Sequence, residues 1–292
     1  MKILKTLFIT LISIIVLLAL VVFGAYFFVR AQYGIDLFRT AGQLSALNEP
    51  VNEATLCPNL LVDGDLQELQ NALNAQFGDG FITYAENTGY KGYTVNLSAL
   101  ANPAVLAELT NVQLSEKQTG ALGQILFFKE TNGKIDVGDK QLETTIKQID
   151  FSNIDASGNA DFNIIVKIDL TPLKDEMKGF PYSWFKGCVP DNLYVSSTVR
   201  IEKTAAKMGY TVAHKELKVN NLSASDTADL FHTLDTVLKI GTAESLNTTI
   251  GTEVTNVLIG NSSNAGFAYS LSIVFDTFNF KTIETADYFV IE

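Results

Sequence analysis

The first pattern in the chain is a run of 23 uncharged residues, Leu7–Val29, rich in Leu, Ile, Val and Phe. Because an α-helix rises 1.5 Å per residue, this run reaches about 35 Å, enough to cross a hydrocarbon core of about 30 Å. The pattern predicts a retained single-pass helix that contacts the lipid bilayer through residues 7–29. The alternative is a cleaved secretory signal ending at Val29-Arg30-Ala31, although the apolar core of such signals is usually only about 7–15 residues.

The charges beside this run bear on its orientation in the membrane. Lys2 and Lys5 precede it, and Arg30 and Arg39 follow it, so the positive-inside count is nearly balanced. Because only six residues precede the run, we expect a signal-anchor in the cell membrane with its C-terminal part extracytoplasmic. The predicted organisation is an anchor over 1–30, a juxtamembrane helix and linker over 31–62, and an extracytoplasmic domain over 63–292.

Helical periodicity appears in several segments after the anchor. Apolar residues recur at every third position from Ile35 to Leu47, which predicts a helix ended by Pro50, followed by the linker. Asp65 is placed to cap a helix over Leu66–Phe77. Ser115 and Gln118 have the spacing of a capping box, Thr171-Pro172 begins a broken helical segment, and Ser225 begins a further helix. The apolar faces of the later helices contain Leu122, Ile125 and Leu126; Leu230, Phe231, Leu234, Val237 and Leu238; and Leu246, Ile250, Val254, Val257 and Leu258.

Strict alternation of apolar and polar residues marks the predicted strands. It is clearest over Phe162–Leu170 and Leu193–Ile201, and it repeats over Tyr210–Val219 and Phe267–Phe275. Such alternation is typical of antiparallel strands with one buried and one wet face. Phe278–Ile283 and Tyr288–Ile291 are predicted edge strands. Long strands and amphipathic helices without regular βαβ order indicate an α+β fold, in which a long curved antiparallel sheet packs with the helices on its concave face.

Charge excludes one class of partner. The chain has a net charge of −11, and the part after residue 30 contains 18 basic and 32 acidic residues, a net charge of −14. Nucleic-acid binding requires a basic surface that neutralises phosphates, so we expect no nucleic-acid partner.

The sequence contains no recognisable catalytic constellation. His214 and His232 have no metal-ligand spacing to another ligand residue, and there is no nucleophile elbow, phosphate-binding loop or dinucleotide fingerprint. We therefore expect no enzyme activity, no catalytic residue, no metal and no cofactor. The two cysteines, Cys57 and Cys188, form one disulfide if the compartment is oxidising, or remain free.

The order of these elements resembles a known family. The anchor, the helix start Leu114-Ser115-Glu116-Lys117-Gln118, the paired strands and the proline-interrupted helix between them look like tubular lipid-binding (TULIP-like) domains of bacterial envelope proteins. The likeness covers about residues 105–290, and the whole chain is similar to membrane-anchored proteins of Gram-positive bacteria. The resemblance implies a curved sheet wrapped around a long helix, with an apolar groove for acyl chains.

Two functions remain open on this reading. The first is binding of a lipid or another amphiphile in an apolar groove, and the second is a non-enzymatic envelope scaffold, with a filled core, that recruits another envelope protein. Alternation reports burial but does not distinguish burial by protein from burial by ligand. Trp184 and Phe185 belong to an aromatic cluster that either packs on the sheet or forms the mouth of the groove. The predicted groove residues are Phe162, Ile164, Val166, Ile168, Trp184, Phe185, Val195, Val199, Leu230, Leu234 and Leu238.

Overall fold

The computed structural model describes residues 37–102, 106–137, 140–175, 186–238 and 242–292. The predicted membrane helix at 7–29 lies outside this part of the chain, as do Trp184 and Phe185. Within the described ranges, no helix combines the length and the apolar character needed to cross a membrane.

The described part contains both helices and antiparallel sheets, which confirms the α+β class. The helices are α1 (Leu37–Asn48), α2 (Glu53–Leu56), α3 (Asp63–Phe77), α4 (Glu116–Thr131), α5 (Thr171–Lys174), α6 (Ala224–Leu238), α7 (Ala243–Leu258) and α8 (Phe267–Ser270), with 3-10 turns at Leu97–Ala101 and Lys186–Cys188. The strands are β1 (Ile82–Tyr84), β2 (Tyr93–Val95), β3 (Val112–Ser115), β4 (Lys134–Val137), β5 (Lys140–Ser152), β6 (Ala160–Asp169), β7 (Asn192–Lys203), β8 (Tyr210–Val219), β9 (Phe278–Ile283) and β10 (Ala286–Ile291).

The main sheet has five strands in the order β4-β5-β6-β7-β8, every neighbouring pair is antiparallel, and the sheet curls into a half-barrel. The predicted pairing of β6 with β7 is confirmed. Ile165, predicted on the wet face of β6, is instead only 5% exposed. Register shifts between Ile146 and Gln148 and between Thr198 and Val199 mark bulges, which bend a strand and increase its twist.

Helices α4 and α7 pack against one face of this sheet. Gly123 of α4 faces Ile149 of β5, and Gly251 of α7 faces Val199 of β7. The predicted capping box begins α4: Ser115 Oγ accepts the amide of Gln118, and Gln118 Oε1 accepts the amide of Ser115. The two helices thus cover the same side of β5, β6 and β7 and complete the core there.

A buried amide from each covering helix satisfies the backbone at a bulge. Gln124 Oε1 accepts the amide of Ile146 at 2.5 Å, and Asn247 Nδ2 donates to the carbonyl of Thr198 at 2.7 Å. Because both amide side chains are buried, these bonds replace ladder bonds that the bulges interrupt.

A second, three-stranded sheet has the order β3-β10-β9. The strand over 288–291 was predicted at an edge, but β10 is the central strand, paired with β3 on one side and β9 on the other. The last residues of β10, Phe289, Val290 and Ile291, are apolar and all buried, which suits a central strand. The rings of Phe280 and Phe289 lie 5.5 Å apart at the centre of this layer.

The segment 267–275 is not a strand, contrary to the alternating pattern. It forms α8 and a following turn, and the buried residues are Phe267, Ala268, Leu271 and Phe275. These spacings are helical, whereas Ile273, which alternation placed on the buried face, is 65% exposed. In a run where every second residue is apolar, some apolar residues are also four positions apart and so share one face of a helix. The alternating pattern was therefore compatible with both a strand and a helix.

The predicted linker packs on the main sheet. The amide of Leu61 donates to the carbonyl of Lys147 at the bulge in β5, and the amide of Asn59 donates to Gln148 Oε1. Lys147 Nζ lies 2.8 Å from Glu53 Oε1. We refer to residues 53–61 as the strap, because these bonds fix it to β5.

Candidate functional site

The predicted groove residues that the structure describes lie in the core. Phe162, Ile164, Val166, Ile168, Val195, Val199 and Leu230 are each at most 5% exposed. They belong to one continuous apolar cluster that extends from Leu44 to Ile291. Leu234 and Leu238 lie on α6, but their side chains fall outside the described set.

Protein atoms occupy the space around the predicted strand residues. The Phe162 ring stacks on Phe151 with centroids 5.6 Å apart, and Gly251 presses on Val199. The void beside Phe162 measures about 10 Å³, at or below the volume that one water molecule requires. At these positions, packing against other protein atoms explains why alternate residues of the strands are apolar.

An apolar groove is present elsewhere, between α4 and α7. Its floor is formed by Ile146 and Val166, and its walls by Phe127, Ile250, Val254 and Val257. The cavity volume is about 50 Å³, and the groove contains about 620 Å³ when the space open to solvent is included. Among the predicted groove residues that are described, Val166 alone contributes to it.

The charged residues that line this groove are both acidic. Glu130, near the end of α4, and Glu253 of α7 line it together with the hydroxyl-bearing Thr131 and Thr144. Apart from these groups the surface is almost entirely carbon. The groove can therefore remove an aliphatic chain from water while placing a polar end near two carboxyl groups.

A larger cleft lies on the other side of α7. It has a volume of about 530 Å³ and is lined by the turn between β7 and β8, residues of α7 and α8, and the loop that joins them. Its lining includes Tyr210, Asn256, Asn261 and Tyr269. Periodicity did not predict this cleft, because its polar residues belong to turns and to the polar side of a helix.

Two of the titratable groups with large pKa shifts, Glu116 and Tyr210, lie on different elements, α4 and β8. Burial raises the pKa of the Glu116 carboxyl to about 7, and the nearby carboxylates of Asp150 and Asp287 raise it further. Burial also raises the pKa of Tyr210 to about 12. Within the part of the chain that is described, no group of three His, Cys, Asp or Glu residues is placed to hold a metal ion.

Cys57 has a free and buried thiol. Burial raises its pKa to about 11, and the neighbouring Glu53 carboxylate acts in the same direction. A thiol with such a pKa is neutral at physiological pH and is a poor nucleophile. The side chain of Cys188, with which the sequence allowed a disulfide, lies outside the described set.

Comparison with known proteins gives no relative for this chain: no family model, curated protein or solved structure matches it.

Proposed function

We propose that this protein is a non-enzymatic binding module that takes the aliphatic part of an amphiphile in the groove between α4 and α7. The observation that supports the proposal is the groove itself, which is open to solvent, floored by Ile146 and Val166, and lined almost entirely by carbon. Each methylene removed from water contributes about 0.8 kcal/mol. Affinity should therefore increase with tail length until the chain extends past the walls.

The size of the groove limits its occupant to one aliphatic chain. A cavity of about 50 Å³ encloses only a short segment, and the rest of a chain lies in the open part of the groove. Pockets that enclose a drug-sized ligand have volumes of about 300–1000 Å³. The proposal is thus a surface groove that holds a single tail, rather than an internal tunnel that encloses a whole lipid.

The lining charges favour a cationic or neutral headgroup. Glu130 and Glu253 are the charged residues of the lining, and an anionic headgroup near them is repelled. This preference should weaken as salt increases, since exposed charges are screened within about 10 Å at 0.1 M ionic strength. We further propose that residues 7–29 anchor the chain in a membrane, so that the groove lies close to a bilayer.

The test uses two amphiphiles with the same tail and opposite charges, dodecyltrimethylammonium and dodecyl sulfate. Each is titrated below its micellar concentration into fragment 31–292, which retains the whole described core from Leu44 to Ile291. Calorimetry should give saturable binding of the cationic amphiphile, several-fold tighter than that of the anionic one at low salt.

Two matched variants locate the binding. Val254→Trp places a ring in the groove and should abolish saturable binding, whereas Ile273→Trp adds the same ring at a position that is 65% exposed and outside the groove. Thermal unfolding checks that both variants are folded. Binding that survives Val254→Trp contradicts the proposal.

A second candidate function has its own supporting observation. The strand residues predicted to line a groove form a close-packed core, as expected for a scaffold that recruits another envelope protein. If fragment 31–292 binds neither amphiphile, the scaffold becomes the better proposal.

A further inference from the structure

The polar cleft beside α7 is the larger cavity of the two. Its volume of about 530 Å³ lies within the range of about 300–1000 Å³ that is common for small-molecule sites. Apolar and polar atoms contribute to its surface in nearly equal measure, in contrast to the carbon-lined groove. A ligand that fits this cleft must therefore present both hydrogen-bonding groups and apolar faces.

The side chains in the cleft are hydroxyls, amides and aromatic rings. Tyr210 and Tyr269 supply rings, Asn256 and Asn261 supply carboxamides, and Thr204 and Ser262 supply hydroxyls. Aromatic rings pack against the C–H faces of pyranose sugars, and carboxamides can both donate to and accept from sugar hydroxyls. This combination matches a polyhydroxylated ligand better than a purely apolar or purely ionic one.

Asn256 is held in a fixed orientation in the cleft. Its Oδ1 accepts from the hydroxyl of Tyr210 at 2.5 Å and from Asn261 Nδ2 at 3.4 Å. Within the described part of the chain, its Nδ2 makes no hydrogen bond. The amide nitrogen is thus an oriented donor, and the Tyr210 hydroxyl, whose pKa burial raises to about 12, stays protonated.

The cleft carries little net charge. None of the described residues that line it is acidic, and its cation, Lys207, lies 2.7 Å from Asp276 Oδ1. An ion pair already compensates the lysine, so the cleft offers a phosphate or sulfate group little net attraction. In a chain of net charge −11, a lining free of carboxylates is chemically distinct from its surroundings.

From this geometry we infer that the polar cleft is a binding site for a neutral saccharide. Tyr269 and Tyr210 supply the packing surface, and Asn256 Nδ2 supplies the oriented donor. The site is separate from the apolar groove: Thr252 and Asn256 of α7 face the cleft, whereas Ile250 and Val254 face the groove. The inference therefore does not depend on amphiphile binding.

The test screens the full chain, in a zwitterionic detergent without a sugar headgroup, against a microarray of neutral and acidic glycans. Saturation-transfer NMR then measures two neutral probes, N-acetylchitotriose and maltotriose, up to about 10 mM, so that binding with a Kd as weak as about 1 mM is detected. We expect at least one neutral glycan to bind.

Asn256→Ala should weaken this binding by about tenfold, since it removes the oriented donor and releases the Tyr210 hydroxyl. Asn264→Ala is the matched control, because Asn264 lies in the same loop as Asn261 but does not line the cleft. Binding that is unchanged by Asn256→Ala overturns the assignment, and so does the absence of binding to every neutral glycan. Circular dichroism confirms that both variants are folded.

Discussion

Gly251 of α7 lies directly against Val199 of β7, so close that a Cβ placed on Gly251 would be 2.5 Å from Val199 Cγ1. Real Cβ atoms do not approach other heavy atoms this closely, so any larger residue pushes the helix away from the sheet. The absence of a side chain at Gly251 thus allows α7 to pack directly on the sheet face whose residues were predicted to line an apolar groove.

Gly251→Ala should lower the free energy of unfolding by about 1–3 kcal/mol, the usual cost of overpacking a core. The matched control is Gly42→Ala in α1, where a Cβ meets no atom within 4 Å. That change should stabilise the protein by up to about 1 kcal/mol, because alanine favours a helix over glycine. Urea unfolding measures both variants. Equal effects of the two substitutions would show that α7 does not pack closely on β7.

Gln124→Leu should lower the free energy of unfolding by about 1–2 kcal/mol. Leucine keeps the volume of the side chain but leaves the amide of Ile146 without its acceptor at the first bulge. Gln113→Leu, at an exposed position on β3, should change stability by less than about 0.5 kcal/mol. Hydrogen exchange of the Ile146 amide adds a local measurement, and unchanged protection in Gln124→Leu would contradict the role assigned to Gln124.

Stability should depend on pH through Glu116, whose carboxyl has a pKa raised to about 7 by burial. The unfolded chain releases this proton near pH 4.3, so between about pH 4 and 7 the folded state binds more protons. The free energy of unfolding therefore falls as pH rises through this window, and this contribution is constant above it.

Glu116→Gln removes this slope, because glutamine does not ionise but can still accept the amide of Phe151, which lies 2.6 Å from Glu116 Oε1. The variant should exceed the wild type in stability by about 1 kcal/mol at pH 8, after allowance for solvent screening, and equal it near pH 4. Thermal unfolding from pH 4 to 8 measures the difference. The exposed Glu143→Gln is the control and should keep the wild-type slope.

The buried thiol of Cys57 should be protected from modification in the folded protein. In a Cys188→Ser background, Ellman's reagent should react with Cys57 at least about a hundredfold faster after unfolding in guanidinium chloride, since both burial and the raised pKa then disappear. Rapid labelling under native conditions would show that the strap opens away from β5.

The strands with a regular alternation could be predicted from the sequence, and β5 could not. Its register shift places Ile146 opposite Val166 and Ile149 opposite Ile164, so that residues three apart face the same side of the sheet. A bulge shifts the alternation of buried and exposed residues by one position. The buried residues Thr144 and Gln148 are also polar, so the apolar pattern is interrupted there. Strand β5, the longest in the described part of the chain, was therefore missed, although β6, β7 and β8 were found.

The two candidate sites depend on contacts between distant segments. The groove joins Phe127 to Val166 and Val254, and the cleft joins a β-turn to the far side of α7. Periodicity assigned Val166 and Val254 to apolar faces correctly, but it cannot show which part of such a face a neighbouring element leaves open. For this reason the covering helices α4 and α7 were predictable, and the sites beside them were not.

The central position of β10 determines at what stage of folding the three-stranded sheet can form. The strands β4 to β8 are joined consecutively, so their contacts are local and close only short loops. The pairing of Tyr288 with Ser115, by contrast, spans most of the domain and carries a larger loop-closure entropy. During synthesis, the main sheet can form while later residues are still being added, but the layer containing Phe289 is completed only after residues 286–291 have been made and have left the ribosome.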